Sequence, residues 1–300
     1  MKLRLREHAL TLAPGEPLIM GIVNVGADSV ADSRLLDSLD AQYEFAMRQH
    51  RDGAHIIDVG VQSGRTDTAV IPVQEEIDRL VPLVCALAAE GVLVSVDLWR
   101  APVAEAALEA GAVLVNDVSG LAEPEVADLA ASAGAGLVVM HTRAAPKAVN
   151  FPGYADDDPM ADVVAFLRER IAIASERGVA TEQLIVDPGL DYAKTPRESV
   201  AVLRRLEELR ALDRPVLLAV SRKYFIGMLT GKEPEDRLAG TLAAVDFGVG
   251  KGAGIVRVHD VAEVSEFLRV RGALQGDEEP EMLGSPDEES LKWLPPKASR

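Results

Sequence analysis

The sequence has a single cysteine, Cys85, and far fewer basic than acidic side chains. Of its 300 residues, 31 are Lys or Arg and 48 are Asp or Glu, which gives a formal net charge of -17. A single thiol excludes an intramolecular disulfide and a cysteine cage for a metal ion. Cys85 stands at helical spacing among apolar residues, so we expect a core thiol and not a nucleophile. The negative charge argues against a nucleic-acid or anionic-membrane partner, although a local group of Arg and Lys can still hold an anionic small molecule.

Long apolar runs are also missing. Residues 1–16 contain no apolar stretch long enough for export, and no later stretch approaches the length of an uncharged membrane span. We therefore expect a soluble, cytoplasmic protein. With 48% hydrophobic residues, the chain can bury a substantial core, and its length fits either two ordinary domains or one large α/β domain.

A repeated pattern favours the single α/β domain. Stretches that begin at Asp52, Ala110, Ala133 and Lys251 each place a Gly-Ala pair before an apolar run that ends in polar residues. The glycine suits the left-handed position after a helix, and the continuous run suits a parallel strand covered on both faces. The runs PLIMGIVN, VLVSVD, LIVDPG and PVLLAVSRK bring the set to eight, with helical periodicities between them. This rhythm predicts a (β/α)8 TIM barrel. A doubly wound open sheet is the alternative, but no glycine-rich phosphate fingerprint follows the first strand.

The chain divides into three parts by composition. We assign a lead-in to residues 1–16, the barrel to residues 17–272 and a tail to residues 273–300. The tail is acidic, contains proline and has few apolar residues, so we expect it to be disordered.

Polar residues end every predicted strand. The carboxyl ends of barrel strands meet at one mouth, where the active sites of such barrels lie. Arg257 and His259 are two residues apart on the last strand and share a face, so both should look into this mouth. The ends of the eight runs are Asn24, Asp58, Asp97, Asn116 with Asp117, His141, Asp187, Ser221 to Lys223, and Arg257 with His259.

Oxygen acceptors on one side of the mouth suggest a heterocycle. The carboxylates of Asp97 and Asp187 and the amide of Asn116 suit a ring that is rich in N–H donors and ring nitrogens. Asp187 stands before Pro-Gly and could instead be an ordinary turn former. For His141, a core position satisfied by the backbone is the plain alternative.

Cations and an amide on the other side suggest an anion. Asn24, Arg65, Arg257 and His259 could together hold a diphosphate with one metal ion, and oxygen ligands of this kind match the preference of Mg²⁺. An ordinary exposed loop arginine is the alternative for Arg65.

Eight motifs in this order and spacing resemble the dihydropteroate synthase family of the pterin-binding barrel superfamily, from about Pro17 to Arg271. They are IMGIVNV, IIDVG, SVDLWR, NDVSG, VVMHTR, DPG…KT, SRKYFIG and VRVHD. The resemblance implies a transferase of folate biosynthesis that joins 4-aminobenzoate to 6-hydroxymethyl-7,8-dihydropterin diphosphate and releases diphosphate. It also implies Mg²⁺ as cofactor and a homodimer, because the family commonly pairs barrels through helices near the end of the chain.

The resemblance also implies roles for single residues. Its catalytic residues carry over onto Lys223, Asp97, Asp187 and Arg257. Its pterin contacts carry over onto the same four together with Asn116 and Met140. The diphosphate contacts fall on Asn24, Arg65, Arg257 and His259, with Asn24 also a metal ligand, and the acceptor contacts on Ser221, Tyr192 and Lys223.

Three loops depart from the family pattern. Gly26, Ala27 and Val30 replace Thr, Pro and Phe after the first strand, and Gly26 should make that loop easier to open. QSGRT replaces Glu-Ser-Thr-Arg-Pro in the second loop. In the sixth loop, Gly-Phe-Gly-Lys becomes Asp191 to Lys194, which puts a negative charge where the acceptor's carboxylate would approach.

These departures keep other functions open. A pterin-binding paralogue with little or no dihydropteroate synthase activity would retain the ring contacts, but it has no need of Arg65 and Asn24. A pterin-dependent methyltransferase of the same superfamily would need a corrinoid partner and would have little use for Arg65 and Lys223. The retained diphosphate residues favour the transferase.

Overall fold

A computed structural model describes residues 1–26, 38–62, 69–148, 158–276 and Leu283 of the chain. The strands in these ranges are β1 (Lys2–Leu5), β2 (His8–Thr11), β3 (Leu18–Asn24), β4 (Ile56–Gly60), β5 (Val94–Leu98), β6 (Leu114–Asp117), β7 (Gly136–Met140), β8 (Leu184–Asp187), β9 (Leu217–Ala219) and β10 (Ile255–Val258). The α-helices are α1 (Leu39–Arg51), α2 (Val73–Ala89), α3 (Ala101–Glu109), α4 (Glu125–Ala133), α5 (Pro159–Glu176), α6 (Pro196–Arg204), α7 (Tyr224–Thr230), α8 (Leu238–Gly250) and α9 (Val261–Gln275).

The eight predicted strands form one parallel sheet that closes on itself. Its hydrogen-bonded order is β8-β7-β6-β5-β4-β3-β10-β9. The first and last strands of that order also meet, because Val186 forms a parallel bridge with Val216 and its amide donates to the carbonyl of Pro215 at 3.0 Å. Helices follow the strands around the ring. The predicted (β/α)8 barrel is therefore confirmed, and the open sheet is excluded.

The alternation of side chains along each strand separates the core from the mouth. Outward-facing residues such as Val59, Val96 and Val258 are fully buried against the helices. Inward-facing apolar residues fill the lower part of the barrel, namely Met20, Ile56, Leu114, Val138, Ile185, Leu217 and Ile255. Side chains two positions apart share a strand face. On five of these strands, the residue two positions later along the chain therefore lies above the apolar layer. These residues are Asp58, Asn116, Met140, Asp187 and Arg257.

The lead-in is a β-hairpin that covers the amino end of the barrel. β1 and β2 pair antiparallel, and Leu3, Leu5 and Leu12 join the interior apolar cluster. The amide of Arg6 donates to the carbonyl of Gly134 at 2.8 Å, which ties the hairpin turn to the body. The sequence analysis did not predict this hairpin, although the pattern KLRL alternates as a half-buried strand does.

Cys85 is exposed on α2, so the prediction of a core thiol was wrong. The buried residues of this helix are Glu76, Leu80, Leu83, Val84 and Leu87, and these positions define one stripe at helical spacing. Cys85 falls outside that stripe, which the apolar composition of the segment had concealed.

The carboxyl end of the described chain is α9, which continues to Gln275, past the predicted barrel boundary at residue 272. The rest of the predicted tail lies outside the described residues except for Leu283, so its disorder stays a prediction. In the described ranges, no helix has the length and apolar character that crossing a membrane requires.

We predict that the hairpin contributes to the stability of the whole barrel. Leu5 is 0% exposed, so Leu5→Ala should leave a cavity beneath the interior layer and lower the free energy of unfolding by about 2 to 5 kcal/mol. Thr11→Ala, at an exposed position of the same hairpin, is the matched control. Denaturant unfolding of the two variants measures the difference, and equal stabilities would show that the hairpin is an appendage.

Candidate active site

Neighbouring strands align their polar residues at one level of the mouth. Asn24 stands beside Gly60, Gly60 beside Asp97, and Asp97 beside Asn116 in the register of the sheet. Farther round the barrel, Met140 stands beside Asp187. Four of the predicted strand-end residues therefore lie together at the mouth, namely Asn24, Asp97, Asn116 and Asp187.

Arg257 lies between two carboxylates in this mouth. Its Nε donates to Asp58 Oδ2 at 2.6 Å, and one terminal nitrogen donates to Asp97 Oδ2 at 2.7 Å. Burial acts to lower the pKa of Arg257, but the charges of Asp58 and Asp97 outweigh it and raise that pKa. The guanidinium is therefore a permanent cation. Burial raises the pKa of Asp97, and the charge of Arg257 opposes this rise.

Asp58 was named in the sequence only as the end of a strand and was given no role. Its side chain is 0% exposed, and the Oδ2 that accepts from Arg257 also accepts from Asn116 Nδ2 at 3.2 Å. The other oxygen, Asp58 Oδ1, and the amide oxygen of Asn116 are buried and have no hydrogen-bond partner in the described part of the chain. Buried acceptors are normally satisfied, so this pair can receive N–H donors from a bound ligand. Alternation with Ile56 on β4 was the available sequence signal for this inward position.

Asp187 offers a third acceptor at the end of β8. Its Oδ1 accepts from the amide of Gly189 at 2.7 Å, and the residue is 4% exposed. Burial raises the pKa of this carboxyl, while the Gly189 amide and then the charge of Lys223 counteract the rise. Asp187 is thus both a turn former, as the alternative proposed, and a buried carboxylate near a cation.

Lys223 joins the β8–α6 loop to the turn after β9. Its Nζ donates to the carbonyl of Leu190 at 2.9 Å and lies 4.5 Å from the centre of the Tyr192 ring. Burial lowers the pKa of Lys223, and the carboxylates of Asp191 and Asp187 counteract this effect. Tyr192 and Lys223, two of the three predicted acceptor residues, are therefore in contact.

Asp191 is a hydrogen-bonded carboxylate whose negative charge also acts on Lys223. Its Oδ2 accepts from the backbone amide of Phe225 at 3.2 Å, and its Oδ1 accepts from Ser199 Oγ at 3.0 Å. The carboxylate therefore caps the first turn of α7 and is compensated there. Repulsion of an acceptor carboxylate by this residue has no support in these contacts.

Ser221, the third predicted acceptor residue, lies against His259. Its Oγ accepts from the His259 amide at 3.1 Å and stands 3.0 Å from His259 Nδ1. Burial lowers the pKa of His259 to about 3, and the charges of Arg222 and Arg257 lower it as well. A neutral imidazole with a fixed Nδ1 leaves Nε2 for another partner. The Ser221 hydroxyl thus orients His259, and these contacts do not support an acceptor role for it.

Asn24, a further predicted diphosphate residue, is the last residue of β3. A Cβ at Gly60 would come within 3.3 Å of Asp97 Cβ and 3.5 Å of Asn24 Oδ1, so glycine keeps the space between these side chains clear. A Cβ at Gly26 would overlap the carbonyl of Val61, so this glycine permits a close packing of two loops and does not merely loosen one. Arg65, Ala27, Val30 and Gly64 lie outside the described residues.

A protein-only metal site is missing from the described ranges, since no group of three or more His, Cys, Asp or Glu residues there could hold a metal ion. This does not disagree with Mg²⁺, which retains several waters and often binds through one or two protein groups plus substrate phosphates. The amide oxygen of Asn24, next to the cleared space at Gly60, fits a single oxygen ligand of that kind.

Two strand-end residues serve purposes other than lining the mouth. Asp117 Oδ1 accepts from the amides of Ser119 and Leu121 and from Ser119 Oγ, so it holds the turn after β6. His141 is 0% exposed, and its ring is hydrogen-bonded to the side chains of Asp162 and Lys194.

Comparison with known proteins agrees with this geometry. The pterin binding enzyme family matches residues 20–259 of the chain. Dihydropteroate synthase of Bacillus subtilis (strain 168) is 40% identical over 259 residues, which are 86% of this chain and 88% of that protein.

Solved structures with the same fold include enzymes that hold relevant ligands. Xanthomonas albilineans dihydropteroate synthase with 4-aminobenzoic acid has a TM-score of 0.84 at 37% identity, over 93% of this chain and 100% of that one. The same enzyme in complex with 7,8-dihydropteroate has a TM-score of 0.79 at 35% identity, over 92% of this chain and 99% of that one. The chain belongs to the pterin-binding enzyme family and, within it, to the dihydropteroate synthases.

Proposed function

We propose that the chain joins 4-aminobenzoate to 6-hydroxymethyl-7,8-dihydropterin diphosphate and releases diphosphate, with the mouth of the barrel divided into a pterin side and an acceptor side. The observation that carries this proposal is the set of buried oxygen acceptors around a permanent cation, Arg257. One relative of known structure holds 4-aminobenzoic acid in one complex and 7,8-dihydropteroate in another, which are the acceptor and the product of this reaction. A pterin binder without activity is not favoured, because the relatives that match over most of the chain are synthases.

The pterin side consists of residues inside or directly after strands. Asp187 accepts N–H donors from the edge of the ring, and the unpartnered oxygens of Asp58 and Asn116 accept others. Asp97 lies at the same level of the sheet as Asn116, and Met140 lies beside Asp187. A ring with several N–H donors satisfies these buried acceptors, which no apolar ligand can do.

The diphosphate side supplies charge to the leaving group. The bond between the methylene carbon and the bridging oxygen breaks, its electron pair goes to the diphosphate, and the amine lone pair forms the new C–N bond before the amine loses a proton. Arg257 and the Nε2 of His259 stabilise the charge that develops on the diphosphate. Arg65 would add a second guanidinium. Asn24 would hold Mg²⁺, which neutralises diphosphate charge when bound.

The acceptor side is built by the β8–α6 loop and the turn after β9. The ammonium of Lys223 attracts the carboxylate of 4-aminobenzoate, and the Tyr192 ring beside it offers an aromatic face. The amine is then held near the methylene carbon, and orientation of this kind can contribute about a hundredfold or more to the rate.

We also propose a homodimer that pairs through α7 and α8. Met228 and Leu229 on α7 are 59% and 71% exposed, and Phe247 on α8 is 42% exposed. An apolar groove runs between α6, α7 and α8. Its lining includes Leu203, Phe225, Leu229, Ala243 and Phe247. Contiguous exposed apolar residues of this kind are typical of protein interfaces.

The cytoplasmic location expected from the sequence stays a prediction.

The first experiment tests the reaction and the pterin side together. Purified protein is incubated with dihydropterin diphosphate, Mg²⁺ and 4-aminobenzoate, and pteroate formation and diphosphate release are followed separately. We expect both products in equal amounts.

Asp187→Ala should weaken binding of a pterin analogue by about 2 to 4 kcal/mol, because ring N–H donors lose a charged partner in a dry site. Asp236→Ala, at an exposed position, is the control. Unchanged calorimetric affinity in Asp187→Ala would remove this residue from the site.

The second experiment tests the role of Asp191. Asp191→Ala removes two accepted hydrogen bonds, one from the Phe225 amide in the first turn of α7 and one from Ser199 Oγ on α6, so it should lower the free energy of unfolding by about 1 to 2 kcal/mol. The Michaelis constant for 4-aminobenzoate should not fall. Asp191→Asn keeps an oxygen acceptor and should lose less stability. A clear fall of the Michaelis constant in both variants would restore the idea that this carboxylate repels the acceptor.

The third experiment tests the dimer. Leu229→Glu places a charge on the proposed interface, and sedimentation should show a shift from dimer to monomer. Leu274→Glu changes a residue that is 81% exposed on α9 and should leave the dimer intact. A monomeric unmodified protein at all concentrations would refute the proposal.

A further inference from the structure

Lys194 is a buried lysine to which neither the sequence analysis nor the proposed reaction gives a role. It is 8% exposed, belongs to the β8–α6 loop and reaches His141, the residue after β7, with its side chain. Its Nζ lies 2.7 Å from His141 Nδ1, 2.9 Å from the carbonyl of Gly189 and 3.3 Å from the carbonyl of Tyr192. A lysine ammonium has three donors, and here it meets three acceptors.

His141 is oriented by a hydrogen bond on its far side. Burial lowers the pKa of His141 to about 3, and the charge of Lys194 adds to this, so the ring is neutral. Since Nδ1 accepts from Lys194, Nε2 carries the hydrogen and donates to Asp162 Oδ2 at 2.8 Å. Arg143 donates to the same carboxylate at 2.8 Å. Lys194 is thus anchored through His141 to α5, outside the mouth.

The loop that Lys194 holds is in a conformation that needs support. Gly189, Asp191 and Ala193 have φ angles of 62°, 63° and 47°, so every second residue is left-handed. For Asp191 and Ala193 this conformation is unfavourable, and such residues persist only where their surroundings enforce them. The Lys194 bonds to Gly189 and Tyr192 span this stretch.

The two lysines divide the loop between them. Lys223 donates to the carbonyl of Leu190 and contacts the Tyr192 ring. Lys194 donates to the carbonyls of Gly189 and Tyr192. The charged groups that act on Lys194 are Asp187, Lys223, Asp162 and Glu198, and burial lowers its pKa to about 7. The three acceptors favour the ammonium, which opposes that effect.

We propose that Lys194, oriented by His141, is a positioning residue that holds the β8–α6 loop so that Tyr192 faces the acceptor. This inference rests on the proposed function for its kinetic consequence, but its structural part does not. Among the described residues, the hydrogen bonds of Lys194 go to loop backbone and to His141, so their loss should affect the acceptor more than the pterin.

The test compares Lys194→Met with Lys232→Met, which changes an exposed lysine. In Lys194→Met the Michaelis constant for 4-aminobenzoate should rise about tenfold or more, while the affinity for a pterin analogue changes less than about twofold. Lys232→Met should change neither quantity. A merely structural role would instead lower stability and leave both constants of the folded fraction unchanged.

A paired set at His141 guards against a variant that fails to fold. His141→Asn keeps an oxygen near the position of Nδ1 and should retain most of the acceptor affinity, whereas His141→Leu removes the acceptor of Lys194 and should behave as Lys194→Met. Equal Michaelis constants in the Asn and Leu variants would overturn the role of His141.

A readout without turnover separates this inference from the proposed function. The chain has 4 tyrosines, so 3-fluorotyrosine labelling gives few ¹⁹F signals, and Tyr192→Phe assigns the relevant one. Lys194→Met should shift or broaden the Tyr192 signal, and Lys232→Met should not. If the unmodified protein forms no pteroate but the signal responds in this way, the reaction is wrong and the positioning role holds. An unchanged Tyr192 signal in Lys194→Met overturns the positioning role.

Discussion

The mouth of this barrel depends on the pairing of Arg257 with Asp58 and Asp97. A guanidinium at this depth is stable only with carboxylates at hydrogen-bond distance, and two carboxylates so close together need a cation between them. The pairing fixes the positions of both acids, and Asp58 in turn holds Asn116. Binding of a pterin therefore meets acceptors that are already in place, which reduces the ordering cost of recognition. Removal of either acid would leave a buried charge without its full compensation.

The apolar layer below explains why this pairing sits where it does. Ile56, Leu114 and Ile255 fill the barrel from the amino end, and the hairpin closes that end with Leu3 and Leu5. In the described residues, the amino end is filled by apolar side chains and the polar mouth lies at the opposite end. The strand period then lifts the next inward residue of each strand to the mouth. Stability and function thus use adjacent positions on the same strand faces.

Strand positions could be predicted from the sequence, whereas contacts between distant elements could not. The runs that end at Asp97, Asp187 and Arg257 showed both the strand and its inward face, because burial on two sides leaves a continuous apolar segment. The capping of α7 by Asp191 joins residues that are far apart in the chain, and no local pattern reports it. The prediction for Cys85 was wrong for another reason. Apolar residues of α2 also lie outside its buried stripe, so a place in an apolar segment did not indicate burial. The departure from the family pattern at Asp191 was visible in the sequence. The hydrogen bond from the Phe225 amide that explains it was not.

The two sides of the mouth rest on different kinds of support. The pterin side is carried by strands whose register is fixed by the whole sheet, so its residue types cannot change without loss of a buried hydrogen bond. The side for which we propose acceptor binding is formed by a loop with left-handed residues, which two lysines and a capping carboxylate tie down by hydrogen bonds. Such a loop tolerates exchanges that preserve its anchors, and Asp191 is an exchange that adds one. In the sixth loop, the divergence from the family pattern therefore falls where the backbone is held by a few replaceable contacts. It does not by itself indicate loss of activity.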